Sequence, residues 1–157
     1  MKIKLLVPAI FLLMFSNFSF SQVEDTLNSD LYSWLKTIPD IEVTAIKPDK
    51  IFTEAYEIFV TQPIDHNNPD GPKFKEQIFL SHVDKDKPMV IELDGYAVNN
   101  RTTELSRILE CNQIMVEHRY FGESVTSPFD WKYLSIKQAA DDHHRIIELF
   151  KDYYSGK

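Results

Sequence analysis

Ile114-Met115-Val116 runs straight into Glu117-His118-Arg119-Tyr120-Phe121-Gly122-Glu123-Ser124. This junction restricts the fold more than any other part of the chain. An apolar run of strand character ends in a charged, aromatic turn, and Gly122 permits a sharp change of direction or a positive φ there. In an open α/β sheet the carboxyl ends of strands are where ligands and chemistry gather. Upstream, Pro88 to Gly95 is a second mostly apolar run closed by a glycine turn, the pattern of a strand covered on both faces in a parallel sheet. Between the two runs, Thr102 or Thr103 caps a helix through Leu109, with Leu105, Ile108 and Leu109 apolar. Strand, helix, strand in that order predicts a right-handed crossover unit and an α/β fold.

The flanking segments fit the same class. Trp34, with Leu31, Leu35 and Ile38, predicts a short amphipathic helix that stops before Pro39, and Ile41 to Ile46 alternates like a strand. Tyr56 to Thr61 and Phe74 to Val83 are strand patterns, the second with Phe74, Glu76, Ile78, Leu80 and His82 on one face. They flank Pro63 to Pro72, dense in proline, Asx and glycine, so an antiparallel hairpin is expected. After a loop with Pro128 and Trp131, Ser135 and Gln138 form a capping-box pattern that opens a long helix. Ile136, Ala139, Ala140, His143, Ile146, Ile147, Phe150 and Tyr154 recur along it at helical spacing, and Gly156 is its natural stop.

At its amino end the chain begins with Lys2 and Lys4, then the apolar run Leu5 to Phe15, then the small residues Ser19 and Ser21. That is the order of a signal peptide spanning residues 1–21, with cleavage after Ser21 and a secreted or periplasmic destination. The apolar run is too short for a permanent membrane anchor. Losing Lys2 and Lys4 takes the formal charge from −7 to −9, which argues against nucleic acid and anionic lipid as partners. Cys111 is the only cysteine among 157 residues, so no internal disulfide forms and a buried thiol is expected. Residues 22–50 form a lead-in, and the main domain starts near residue 51.

Within the turn, Arg119 is suited to bidentate pairing with a carboxylate, Glu117 or Glu123 being near in sequence, and Tyr120 and Phe121 can wall a pocket. The same residues serve equally well to position the loop or to touch a substrate. Ser124 lies in Gly-x-Ser-x-Thr, lacks the second glycine of a nucleophile elbow, and is followed by Pro128 rather than a helix. Asp141-Asp142-His143-His144 supplies too few ligands from one helix to hold zinc or manganese, with Asp142 expected to pair with Arg145. His66 and His82 are read as residues of the hairpin. Asn100-Arg101-Thr102 fits a glycosylation acceptor, but Thr102 is better explained as a helix cap.

Glu117 to Ser124 resembles the Glu-His-Arg-Tyr-Tyr-Gly-Glu-Ser signature of prolyl carboxypeptidase and dipeptidyl-peptidase relatives in the α/β-hydrolase clan. Gln62-Pro63-Ile64-Asp65-His66, Phe74-Lys75-Glu76-Gln77, Glu92-Leu93-Asp94-Gly95-Tyr96 and Gln138-Ala139-Ala140-Asp141 extend the likeness to the secreted PS-10 type serine peptidases, the tripeptidyl aminopeptidases. The resemblance covers roughly residues 51 to 157. It implies the amino-terminal part of an α/β-hydrolase fold and a Ser-His-Asp exopeptidase that trims short peptides from N-termini without a cofactor. No Gly-x-Ser-x-Gly occurs in the sequence, so nucleophile, Asp and His are expected downstream, and residues 51–157 by themselves are expected to be an incomplete, inactive domain. The loop after the third strand of that fold supplies an oxyanion-hole N–H, which maps to Gly95 and Tyr96, although Asp94-Gly95 also reads as a plain tight turn. Glu117, Arg119, Tyr120 and Glu123 are the candidates for binding a peptide or positioning the loop. Two other classes remain open on the residues: a small exported protein that binds peptide or glycan, and an esterase or lipase relative.

Overall fold

The computed structural model describes residues 27–154; the segment read as a signal peptide, residues 1–21, and Gly156, the expected stop of the last helix, lie outside the described residues. Five strands form one mixed sheet: β1 (Ile41–Ile46), β2 (Glu54–Pro63), β3 (Lys73–His82), β4 (Met89–Asp94) and β5 (Asn112–Glu117). Helix α1 (Asp30–Leu35) precedes the sheet, α2 (Glu104–Leu109) joins β4 to β5, and a 3-10 turn (Trp131–Tyr133) leads into α3 (Ile136–Phe150). The spatial order is β1-β2-β3-β5-β4. β1, β2, β3 and β5 pair antiparallel in turn, and β4 pairs parallel with β5. The chain is therefore of the α/β class: an antiparallel hairpin joined to one parallel crossover unit.

The core forms where strand alternation meets helical spacing. Tyr56 faces Leu80, Leu80 faces Ile114 and Ile114 faces Ile91, so one apolar row crosses four strands. Leu31 and Leu35 of α1 and Ile146 and Phe150 of α3 pack on that face and are all buried. Burying each such side chain contributes roughly 1.5–3 kcal/mol.

The structure departs from the sequence pattern at several points. β4 is an edge strand, half-exposed rather than covered on both faces, with Leu93 open to solvent. Its apolar run carries the composition of a buried strand, but β5 sits on only one side of it. The cap of α2 is Thr103, whose side chain accepts from Ser106 N, while Thr102 donates to Asp49. The apolar residues of α2 do not face the core: Ile108 is 70% exposed. In α3, Ser135 caps Gln138 N, but the Gln138 side chain turns away to residues 65 and 66, so the reciprocal half of the capping box is absent. Ile136 is exposed, and α3 ends at Phe150, so Tyr154 reaches the core from beyond the helix.

Candidate functional site

The end of β5 and the end of β4 lie side by side, Leu93 against Val116 and Asp94 against Glu117. The turn after β5 and the loop after β4 therefore emerge from the same sheet edge. Glu117 is buried, and its carboxylate joins the two. Oε1 accepts from Val98 N at 3.0 Å; Oε2 accepts from Glu123 N at 2.8 Å, Ser124 N at 2.9 Å and Ser124 Oγ at 2.8 Å. Gly122, at φ +46°, passes so close that a Cβ there would lie 2.0 Å from Glu117 Oε1. The glycine is required by close approach as well as by backbone conformation.

Ser124 is fully buried, donates to Glu117 and accepts from Gln77 N at 2.9 Å. Both capacities of its hydroxyl are engaged in structure. Tyr120 adopts φ 74° and is held by donation from its hydroxyl to Asp130 O, with its ring against Phe129 and Trp131. Phe121 packs edge-on to Tyr96 at 5.2 Å and to His118 at 5.8 Å. Tyr96 is 75% exposed, and its N–H meets no acceptor among the described residues. Of the two turn glutamates, only Glu123 presents its carboxylate to solvent.

Arg119 takes neither Glu117 nor Glu123 as partner. It lies fully buried and grips Asp142 of α3 in a bidentate pair, Nε to Oδ2 at 2.6 Å and Nη2 to Oδ1 at 2.8 Å. Nη1 donates to Ile64 O and Tyr133 O, Nη2 also to Pro63 O, and the guanidinium stacks over Phe74. One side chain thus ties the hairpin loop, the 3-10 turn and α3 together. Asp142 Oδ1 also receives His66 Nε2 at 2.6 Å, so His66 is more than a turn residue. Arg145, expected to pair with Asp142, instead donates to Thr61 O. His82 meets the Tyr154 hydroxyl, and burial holds its ring below the usual histidine range. Asp141 pairs with Lys137 and Asp142 is committed to Arg119, so both aspartates of the run on α3 have protein partners. Among the described residues no cluster of three potential metal ligands forms.

Sequence reasoning missed the Arg119–Asp142 pair. The signal was present: Asp142 falls three residues after Ala139 and four before Ile146, both buried, so an acid occupies the covered stripe of an amphipathic helix. It also missed the buried polar residues of β5, an interior strand. Asn112 Oδ1 accepts from Val83 N and Asp84 N; Gln113 accepts from Thr103 N and donates to Arg101 O. Glu76 of β3 is buried at the other end of the sheet, near Asp142 and Arg119. It accepts from Gln62 on Oε2, while Oε1 finds no partner among the described residues. Desolvation, then the charge of Asp142, pushes its carboxyl well above the usual range. Cys111 is buried as expected, which raises its thiol pKa.

This sheet edge, with its signature turn, belongs to a peptidase scaffold: a family model described as PS-10 peptidase S37 matches residues 25–157, and the chain belongs to that family. Among curated relatives it is similar to the prolyl tri/tetrapeptidyl aminopeptidase of Streptomyces mobaraensis, 35% identical over 131 residues. That match takes in 80% of this chain and 27% of the relative, so the chain spans about a quarter of the relative's length. Among the described residues no helix is long and apolar enough to cross a membrane.

Proposed function

We propose that this chain forms the amino-terminal part of the α/β-hydrolase domain of an exported serine exopeptidase. The whole protein removes short peptides from amino termini by acyl-enzyme chemistry, in line with its prolyl tri/tetrapeptidyl aminopeptidase relative. The observation that carries this reading is the shared sheet end: membership of the peptidase family coincides with a loop, residues 95–103, whose Tyr96 N–H is unengaged and sits beside the signature turn. In this reading the Tyr96 N–H donates to the oxyanion formed at the scissile carbonyl. The nucleophile, its histidine and its aspartate come from residues beyond these 157, with the nucleophile strand seated along the free edge of β4. Apolar Met89, Ile91, Ile147 and Phe150 line a groove of about 200 Å³ at that edge, which supports the assignment. Glu123 is the carboxylate free to meet a substrate's ammonium, while Glu117 and Arg119 position the turn. The Lys2 and Lys4 region, the Leu5–Phe15 run and the small residues before Gln22 support the export in this reading.

The test is made on the complete gene product. A fluorophosphonate probe should label one serine, and a chromogenic peptide with proline as its third residue should be cleaved when its amino terminus is free and resist when it is acetylated. Glu123→Gln should raise KM about two- to fivefold for the free-amine substrate, as expected for one exposed charge contact. A complete protein that neither labels nor cleaves overturns the reading.

A further inference from the structure

We propose that Glu117 is a positioning residue: its buried carboxylate fixes the backbone of loop 95–103 and thereby sets the Tyr96 N–H, a role that rests on the reading of that N–H as an oxyanion donor. The argument is geometric. Residues 95–97 span the gap between two fixed points. One is Asp94, whose carbonyl accepts from His118 N at 3.1 Å. The other is Val98, whose N–H ends on Glu117 Oε1 at 3.0 Å. Both clamps therefore come from adjacent residues at the end of β5. Farther along, Gln113 holds Arg101 O and Thr103 N from the same face of the same strand, since residues 113 and 117 are four apart. The loop is thus pinned from beneath by two side chains of an interior strand, and the exposed Tyr96 is carried between pins.

The carboxylate is chemically specific for this task. It receives three donors on Oε2 and one, Val98 N, on Oε1, and an ionised carboxylate is acceptor-only on both oxygens. In Glu117→Gln the amide oxygen goes to the three-donor side. The amide nitrogen then faces Val98 N–H, donor against donor. The substitution disconnects the loop while leaving the turn at residues 117–124 its acceptor.

The experiment has two arms. In wild-type complete protein, the Val98 amide should exchange with solvent at least 100-fold more slowly than an exposed loop amide, because its N–H is buried on a charged acceptor. An exposed-loop rate there overturns the clamp, and this arm needs no variant to fold. In Glu117→Gln, kcat per serine titrated with fluorophosphonate should fall about 10- to 100-fold with KM within threefold, the cost of sub-ångström misplacement of a transition-state donor. A merely structural role lowers the number of titratable sites and leaves kcat per site unchanged; that result overturns the inference. If wild-type protein neither labels nor cleaves, the proposed function fails and the catalytic part of the inference fails with it, while the exchange arm still decides whether Glu117 holds the loop.

Discussion

The antiparallel half of the sheet and its parallel half bury their apolar residues very differently. In the hairpin, Tyr56, Ile58, Val60, Ile78 and Leu80 are fully buried under α1 and α3. In the crossover unit β5 is buried with the hairpin, but on β4 and α2 Leu93, Leu105, Ile108 and Leu109 are each at least half exposed. Both halves have ordinary strand and helix patterns, so the difference lies in cover rather than in propensity. Exposed apolar side chains of this kind are available for a further layer of protein to cover. In the proposed function that cover is the rest of a hydrolase domain, with the site lying at the seam between the halves.

Arg119 is the tie across that seam, and cutting it is expected to have the largest effect. Arg119→Met leaves Asp142 buried without its cation and should cost about 3–5 kcal/mol in urea unfolding of the complete protein. A loss under about 1 kcal/mol breaks the view that the halves are joined through this pair.

The contrast in cover itself is tested by paired truncations. Ile58→Ala, at a site with no exposure, should cost about 2–5 kcal/mol. If α2 stays exposed in the complete protein, Ile108→Ala should stay within about 0.5 kcal/mol. A cost near that of Ile58→Ala would instead locate a covering segment on α2 and sharpen the comparison.

Gly122→Ala comes next. Its φ of +46° and the collision with Glu117 should together cost about 1–3 kcal/mol, read as a lower unfolding midpoint.

Smallest is a pH effect in the covered half. The Glu76 carboxyl is held up by desolvation, then by Asp142, with Glu117 adding and Gln62 and Arg119 opposing. A carboxyl raised in the fold stays protonated after the unfolded chain has lost its proton near pH 4.3, so its contribution is intact below that pH and falls as pH rises toward the folded value. Glu76→Gln should therefore melt at or above wild type at pH 7.5, with the difference shrinking toward pH 4.5. A variant that melts lower at pH 7.5 means that the ionised carboxylate is stabilising.

Much of this was legible in the chain. Alternation placed β1, β2 and β3, the apolar runs placed β4 and β5, and Ser135 opened α3 where expected. The turn at residues 117–124 stood out through its glycine, and Gly95 and Tyr96 fall on the loop beside it. What could not be read was who holds whom. Arg119 meets Asp142 across 23 residues and Ile64 across 55. Sequence proximity favoured Glu117 and Glu123, but Glu117 was already committed to four backbone and hydroxyl donors.

The residues by themselves determined the periodicities, hence the elements, the α/β class and the signature turn, because side-chain alternation and capping act over a few positions. Only the tertiary structure decided the sheet order, the half-bare β4 edge, the outward face of α2 and the pairing of Arg119, Glu117 and Glu76. Those depend on which buried polar group lies within about 3 Å of which other, and a buried charge takes the partner that the packed fold brings to it.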